Sequence, residues 1–225
     1  MSEFTDQQII ASWHKNAKPW ISAIRGDEID SRILVTNQAI LDAIMNHTPA
    51  SVLDIGCGEG WLVRALTSQG IDVVGMDIVP ELIEAARQSG PGRYQVLAYE
   101  DLSASSLAMQ FDQVVCNFSL LGKQSVEHIF RQVPSLLNRD GMFIVQTLHP
   151  EAAGSDQGDQ DGWRHGGWQG FNDQFTDPAP WYFRTLASWQ ALFSDNGFML
   201  PQVSEPLHPM TGRPASIIFV AGLAG

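Results

Sequence analysis

The fold is decided by one stretch of sequence, Val52-Leu53-Asp54-Ile55-Gly56-Cys57-Gly58-Glu59-Gly60. The apolar residues at its start predict a short buried strand, and the amphipathic run that begins at Trp61 predicts a helix. The glycines between them let the backbone turn tightly and approach a ligand, and the helix N-terminus offers unpaired N–H groups. The spacing is G-x-G-x-G. A dinucleotide fingerprint needs a third glycine where Trp61 stands, and the chain contains no phosphate-loop motif.

Strands and helices alternate outward from this stretch. Apolar runs predict strands, and stretches with one apolar face predict the helices between them; the predicted strands cover residues 51–55, 71–77, 94–98, 111–117 and 142–147, and the helices 61–69, 80–90, 125–137 and 187–196. Strands that alternate with helices at this spacing pair in parallel through crossovers. Pro134 is expected to kink or shorten the helix that contains it.

The two ends of the chain complete the predicted architecture. Residues 1–48 have helical apolar spacing and are expected to form an N-terminal helical cap. Two further strands are predicted at 198–203 and 216–221, as an antiparallel pair at one sheet edge. Residues 151–180 lack periodicity, so we expect a lid or insertion over 151–185. The prediction is one α/β domain over 1–225, a three-layer Rossmann-like sandwich with a mostly parallel seven-stranded sheet and an antiparallel C-terminal strand.

Residues 52–60 resemble motif I of the class I S-adenosylmethionine-dependent methyltransferases, and the resemblance extends along most of the chain outside 151–180. It implies S-adenosylmethionine as cofactor, with the glycine loop wrapping its methionine part and Asp77 binding both ribose hydroxyls. A carboxylate can accept both of those hydrogen bonds. Ile78 is expected to pack on the adenine and Arg32 to lie near the cofactor carboxylate. The resemblance implies this set of cofactor-binding residues: Trp20, Arg32, Asp54, Gly56, Cys57, Gly58, Gly60, Trp61, Asp77, Ile78, Tyr99, Glu100, Asn117 and Phe118.

Two segments that contribute to this set carry further expectations. Residues 111–117 resemble motif IV, which puts Asn117 and Phe118 beside the reacting sulfonium. The family often has an acidic residue where Ala98 falls, so Tyr99 or Glu100 is expected to supply the adenine-edge contacts instead.

One histidine is a candidate general base. His149 follows strand five directly, at the edge where ligands bind in open α/β sheets, and an imidazole titrates near neutrality. A structural residue before Pro150 is an equal alternative, and methyl transfer by proximity alone needs no base. His149, Trp163, His165, Trp181 and Tyr182 are the candidate acceptor-binding residues. The alternative for the aromatic residues is that they anchor the lid.

Composition limits the partners. Thirteen Lys and Arg against 25 Asp and Glu give a formal net charge of -12, which disfavours a nucleic-acid substrate. No apolar run is long enough for a membrane span, and the N-terminus lacks a signal core. Cys57 and Cys116 suggest neither a disulfide framework nor a metal site. We therefore expect a cytoplasmic protein without a metal, as a monomer or a homodimer.

The predicted function is methyl transfer from S-adenosylmethionine to an oxygen, nitrogen or carbon atom of a small molecule. The acidic charge favours a small acceptor, as does Asn117-Phe118-Ser119-Leu120 in place of an Asn-Pro-Pro-Tyr type motif. The alternatives are a protein or RNA methyltransferase, a cofactor-binding module without catalysis, and an NAD-dependent oxidoreductase. Trp61 at the third glycine position counts against the oxidoreductase.

Overall fold

A computed structural model of the protein describes residues 4–151 and 160–225. Its principal sheet has seven strands in the order β3-β2-β1-β4-β5-β9-β8, and β6 and β7 form a separate two-stranded sheet. The strands are β1 (Ser51–Ile55), β2 (Asp72–Asp77), β3 (Arg93–Val96), β4 (Phe111–Asn117), β5 (Leu137–Thr147), β6 (Gly162–Arg164), β7 (Trp181–Phe183), β8 (Gln202–Ser204) and β9 (Ile217–Gly222).

The helices of the described chain lie mainly between these strands. They are α1 (Asp6–Arg25), α2 (Asn37–Met45), α3 (Trp61–Thr67), α4 (Pro80–Ser89), α5 (Ala104–Leu107), α6 (Gln124–Leu136) and α7 (Leu186–Asp195). A π-helical turn, Arg32–Thr36, leads into α2, and a 3-10 turn, Tyr99–Asp101, follows β3. No helix in the described ranges is long and apolar enough to cross a membrane.

The sheet topology creates a crevice at one edge. Strands β1 to β5 pair in parallel, whereas β9 is antiparallel to both β5 and β8. The strand order reverses at β1, which has β2 on one side and β4 on the other. Ligands of open α/β sheets bind outside the carboxyl ends of the strands at such a reversal. The ends of β1, β2 and β4 therefore mark the expected site.

Two apolar clusters fill the opposite faces of the sheet. Successive side chains of a strand point to opposite faces, and along β1 Leu53 and Ile55 join one cluster while Val52 joins the other. The first cluster includes the buried faces of α6 and α7, with Phe130 and Phe193 fully buried. The second includes residues of α2 and α3. Helices on both faces give the three-layer Rossmann-like sandwich that the sequence predicts, and this prediction is confirmed.

Several predicted boundaries are wrong. The predicted helical region 1–48 is interrupted between α1 and the π-helical turn. Strand β5 begins at Leu137 rather than residue 142, because α6 ends at Leu136, two residues after Pro134, and the chain passes directly into the strand. The first strand of the C-terminal hairpin, β8, is shorter than the predicted 198–203, and Phe198 forms an isolated bridge to Leu223 instead.

The segment predicted to be irregular contains regular structure. Strands β6 and β7 pair antiparallel within or beside residues 151–180. Each has three residues, which is too short for the alternating pattern that identifies a strand. Residues 152–159 of the predicted lid lie outside the described residues.

Candidate functional site

The glycine loop between β1 and α3 needs glycine for its backbone conformation. Gly56, Gly58 and Gly60 have φ values of 74°, 57° and 81°, a region that L side chains rarely adopt. The amides of Gly56 and Cys57 donate to the Met76 carbonyl oxygen at 2.8 and 2.9 Å, which ties the loop to the end of β2. A Cβ atom at Gly56 would collide with the side chains of Ser119 and Tyr99.

The carboxylate of Asp77 anchors the same loop from the end of β2. Its Oδ2 accepts from the Gly58 amide at 3.0 Å, and its Oδ1 accepts from the Val79 amide at 2.9 Å. Burial raises the pKa of Asp77, and these backbone donors oppose the rise. A carboxylate has about four lone-pair positions, so both oxygens retain capacity for further donors.

Asp54 lies at the end of the neighbouring strand β1 and is 2% exposed. Burial, and then the nearby negative charge of Asp77, raise the pKa of Asp54 to about 7. The charged form of Asp54 is therefore costly unless a cation comes close to it.

Two adjoining cavities open beside the loop. The first cavity is lined by Asp77, Ile78, Val79, Leu82, Tyr99, Glu100 and residues of α1. The second cavity is lined by Arg32, Asp54, Cys57, Trp61 and more distant segments. Both share Trp20, Gly56, Gly58, Asn117 and Phe118. These shared residues form the junction of the two cavities.

The junction contains a strained backbone conformation and a buried polar atom without a hydrogen-bond partner. Phe118 has a φ of 54°, an uncommon value for a bulky residue, and its amide donates to the Gln146 carbonyl oxygen at 2.8 Å. The Oδ1 atom of Asn117 is buried without a hydrogen-bond partner. A strained backbone beside an unpaired acceptor is typical of a functional site.

Arg32 supplies the positive charge of the second cavity. Its guanidinium lies over the ring of Trp61 at 5.0 Å and over that of Trp20 at 5.7 Å. Its Nε donates to Asn37 Oδ1 at 3.2 Å. Burial lowers the pKa of Arg32 to about 10, while the charge of Glu59 opposes that change. Arg32 therefore remains cationic at neutral pH.

The structure brings the predicted cofactor residues together with one exception. All of them except Gly60 line the first cavity, the second cavity or both. Gly60 instead precedes α3, where a Cβ atom would meet Tyr94 and Ala86. The loop therefore packs closely against α4 and β3 at this residue. The cofactor contacts of all these residues, Gly60 included, stay predictions.

The predicted acceptor residues lie elsewhere. Trp163, Trp181 and Tyr182 belong to the two-stranded sheet β6–β7, and the Trp163 and Tyr182 rings are 5.6 Å apart. His165 packs edge-on against Phe4 at 4.8 Å. His149 is 5% exposed, and its Nε2 lies 3.0 Å from Glu205 Oε1. None of these five residues lines the two cavities in the described part of the chain, so their acceptor roles stay predictions.

Other residues close the second cavity, and the sequence did not single them out. They come from three segments far apart in the chain and are Leu148, Gln169, Gly170, Phe171, His208 and Ala215. The segment with Phe171 lacks periodicity, and His208 lies in a loop between two strands, so no local pattern indicates either residue. The position of Leu148 just after β5, at the carboxyl edge of the sheet, was the one available signal.

Comparison with known proteins identifies the family. Residues 31–203, most of the chain and all of the glycine loop, match the profile of a family described as "Methyltransferase domain". The chain belongs to the methyltransferase domain family. The expected relationship to class I methyltransferases is therefore confirmed.

Named relatives of this methyltransferase domain protein match part of their length. A ubiquinone biosynthesis O-methyltransferase of Xylella fastidiosa (strain 9a5c) is 36% identical over 121 residues, which cover 50% of this chain and 49% of that protein. The protein of the same description from Xanthomonas axonopodis pv. citri (strain 306) is 37% identical over 114 residues, 48% of this chain and 47% of that one. The matching region thus spans about half of each relative.

Solved structures of methyltransferases share the fold. The Burkholderia thailandensis 1,6-didemethyltoxoflavin-N1-methyltransferase, solved with 1,6-didemethyltoxoflavin and S-adenosylhomocysteine, has a TM-score of 0.66 at 19% identity. The match covers 100% of this chain and 93% of that one. An S-adenosylmethionine-dependent methyltransferase of Mesorhizobium loti has a TM-score of 0.63 at 20% identity, covering 82% of this chain and 96% of that one. Identities this low support the shared fold.

Proposed function

We propose that this protein transfers a methyl group from S-adenosylmethionine to a small-molecule acceptor. The observation that carries the proposal is the junction at Asn117 and Phe118, where a cavity containing Asp77 meets one containing Asp54 and Arg32. A cofactor with a ribose at one end and an amino acid at the other fits that charge pattern. Residues 1–225 are proposed to act as one domain, with 1–48 as its cap and 151–185 as its lid.

The first cavity fits an adenosine. Asp77 has two carboxylate oxygens with remaining acceptor capacity, which suits two adjacent ribose hydroxyls. Ile78, Val79 and Leu82 give the cavity an apolar wall suited to a flat ring system. Gly56 and Gly58 leave space in the cavity for the ligand, because neither carries a side chain.

The second cavity fits the amino-acid end of the cofactor. Arg32 offers a cationic guanidinium to a carboxylate, and Asp54 offers a carboxyl group to an ammonium. A nearby cation lowers the pKa of Asp54 and offsets the cost of its buried charge. The opposite charges of the two side chains therefore match the opposite charges of an amino acid.

The main contribution of the chain to this reaction is to position the reacting groups. When bound, S-adenosylmethionine supplies a methyl group already activated by a sulfonium. Asn117 and Phe118 lie where the two cavities meet, and we infer that they orient the reacting groups and exclude water. Burial raises the pKa values of the Cys57 and Cys116 thiols well above their usual range. Both thiols stay neutral and are poor competing nucleophiles.

The acceptor is proposed to be a small molecule, with the methylated atom an oxygen, nitrogen or carbon. Support comes from relatives described as O-methyltransferases of ubiquinone biosynthesis and from a structural neighbour that is an N1-methyltransferase. The formal net charge of -12 disfavours a nucleic-acid acceptor. His149 as general base stays a prediction, because it lies outside both cavities.

Calorimetric titration of S-adenosylmethionine, S-adenosylhomocysteine and NAD tests the cofactor. We expect the first two to bind and NAD not to bind. Asp77→Asn should weaken binding by about tenfold or more through loss of a charged acceptor for the ribose. Asp72→Asn is the matched control, because Asp72 lies on the same strand but is exposed and pairs with Arg93.

The outcomes separate the candidate functions. NAD binding without S-adenosylmethionine binding, in protein shown to be folded by its thermal transition, would refute the proposal. Binding of S-adenosylmethionine with no label transferred from its methyl group to any small acceptor would favour the non-catalytic module. An equal loss of cofactor affinity in Asp77→Asn and Asp72→Asn would contradict the proposed ribose-binding role of Asp77.

A further inference from the structure

One end of the second cavity extends past the junction to segments that the first cavity does not touch. This end is lined by Leu148, Phe171, His208 and Ala215, from three separate segments of the chain. None of the four belongs to the set of residues expected to bind the cofactor. This end of the cavity can therefore hold a molecule besides the cofactor, as clefts between separate segments commonly do.

His208 is the histidine that lines this end of the cavity. Its Nδ1 accepts a hydrogen bond from the Met210 amide at 3.2 Å, so the neutral ring carries its proton on Nε2. The backbone of its own turn occupies Nδ1, which leaves Nε2–H as the ring group that can donate to a ligand.

The turn that carries His208 is held at several points. The amide of His208 donates to the Arg213 carbonyl oxygen at 2.8 Å, and the Gly212 amide donates back to the His208 carbonyl oxygen at 2.8 Å. At the base of the β8–β9 hairpin, His149 pairs with Glu205 at 3.0 Å. These hydrogen bonds fix the turn that carries the imidazole of His208. The His149–Glu205 pair adds a further link to the hairpin from outside the cavity.

The charges and surfaces around this end restrict the acceptor. Glu28, Asp30 and Asp54 line the same cavity in a protein of formal net charge -12. Arg32 lies over the indoles of Trp20 and Trp61, toward the amino-acid end. An anionic acceptor would meet net repulsion here. The residues that line this end, among them Leu148, Phe171 and Ala215, include no Asp, Glu, Lys or Arg, so they offer no counter-charge to an acceptor of either sign. Their apolar and aromatic surface favours a flat uncharged ring.

We propose that the second cavity binds an uncharged aromatic acceptor and that His208 Nε2–H donates to an oxygen or nitrogen lone pair of that acceptor. This proposal rests on the proposed methyltransferase function. His208 acts as a binding and orienting residue for the acceptor.

Matched probes test the acceptor class in protein saturated with S-adenosylhomocysteine. The probes are 2-naphthol, its anionic analogue 2-naphthoate, its cationic analogue 2-naphthylmethylammonium, and 2-decalol, which lacks the aromatic ring. Ligand-observed NMR gives the affinity of each. We expect 2-naphthol to bind more tightly than the other three. Tighter binding of either charged probe or of 2-decalol would overturn the assigned acceptor class.

Variants at residue 208 test the hydrogen bond. His208→Phe keeps a flat ring without the donor and should weaken 2-naphthol binding by about tenfold, the usual cost of losing one such bond. His208→Gln keeps an N–H donor at similar reach and should restore most of the affinity. His47→Phe is the matched control, because His47 is exposed just after α2 and outside the cavities.

The results distinguish this inference from the proposed function. His208 is not the acceptor contact if two results occur together: the native protein and His208→Phe have equal affinity for S-adenosylhomocysteine, and they also have equal affinity for 2-naphthol. If no aromatic probe binds while S-adenosylhomocysteine does, the acceptor class is wrong and the cofactor proposal stands. If S-adenosylhomocysteine fails to bind the native protein, the proposed function itself fails.

Discussion

His149 and Glu205 are joined across the edge of the sheet, with His149 Nε2 3.0 Å from Glu205 Oε1. His149 is buried directly after β5, whereas the side chain of Glu205 is half exposed directly after β8. The pair links the two strands that flank β9. The Nδ1 atom of His149 is buried without a hydrogen-bond partner. The geometry favours an anchor for the hairpin over a group in contact with the acceptor.

A double-mutant cycle of His149→Ala and Glu205→Ala measures this link. We expect a coupling free energy of about 1 kcal/mol in denaturant unfolding, because one partner is half exposed and solvent screens the pair. The His149→Gln variant should lose less than about tenfold in kcat with an accepted substrate, since a general base contributes about 100- to 10000-fold. A hundredfold loss at unchanged unfolding free energy would support the general base.

Asp54 should couple cofactor binding to pH. Its pKa in the folded protein is raised to about 7 by burial, so below pH 7 the site holds a proton that a cationic ligand must displace. We expect binding of S-adenosylmethionine at pH 6 to release nearly one proton, and binding at pH 8 to release almost none. Calorimetry in two buffers of different ionisation enthalpy gives that number, and Asp54→Asn should abolish the difference between the two pH values.

The same raised pKa affects stability without ligand. Between pH 3.8 and about 7, folded Asp54 holds a proton that the unfolded chain has lost. The unfolding free energy contributed by this group therefore falls as pH rises through that window, by about 4 kcal/mol at most. Asp54→Asn should flatten this part of the pH–stability curve. An Asp54→Asn curve parallel to that of the native protein would contradict the raised pKa.

Gly60 and Gly70 form a matched pair for the glycine loop. Their φ values are 81° and 85°, but a Cβ atom at Gly60 would lie 2.7 Å from Tyr94 Cε1 and 2.9 Å from Ala86 Cβ, whereas at Gly70 it would meet nothing within 4 Å. Both alanine variants share a backbone cost of about 1–2 kcal/mol, and Gly60→Ala adds about 1–3 kcal/mol of overpacking. We expect the larger loss of unfolding free energy in Gly60→Ala. Equal shifts in melting temperature would refute the packing role.

Asn16 holds α1 to the segment around Thr176, which is part of the proposed lid. It is fully buried, its Nδ2 donates to the Thr176 carbonyl oxygen at 2.8 Å, and its Oδ1 accepts from the Thr176 amide at 2.9 Å. On the same face the rings of Trp13 and Trp168 are 6.0 Å apart. Phe171, between Trp168 and Thr176, lines the second cavity. These contacts therefore fix the segment that carries one wall of the proposed acceptor space.

Asn16→Ala should loosen that wall. We expect faster amide exchange at Thr176 and its neighbours and a loss of about 2–3 kcal/mol in unfolding free energy, because buried polar partners remain unpaired. Lys15→Ala is the control. It removes an exposed ion pair with Asp177, for which a loss under about 1 kcal/mol is expected. Similar exchange rates in both variants would contradict the role of Asn16.

The parallel part of the fold was predictable because its signals are local. Strands β1 and β4 have the bounds that their apolar runs predict, and α4 begins at Pro80 as expected. Strand β5 was misjudged at its start, since Leu137 to Gly141 is a polar-containing stretch that pairs by its place beside β4. Strands β6 and β7 were not predicted, because three residues are too few to show the alternating pattern of a strand.

The cofactor-binding and acceptor-binding parts of the candidate site differ in how well local sequence patterns predict them. The expected cofactor residues lie at the ends of neighbouring strands, where motif and topology together place them, and nearly all line the cavities. Trp163, Trp181 and Tyr182 are expected in the acceptor site only because they are aromatic, and aromatic character does not indicate which way a side chain points. His165 and Trp163 instead pack with Phe4 near the N-terminus.

The sequence by itself determined the glycine loop, the order of strands and helices, and the family. These depend on contiguous residues, because positive φ values at Gly56 and Gly58 and the periodicity of a strand are local requirements. The tertiary structure alone decided that His208 lines the second cavity while His149 pairs with Glu205, and that the pKa of Asp54 rises. Burial and distance between residues far apart in the chain depend on how the layers pack, which no local pattern records.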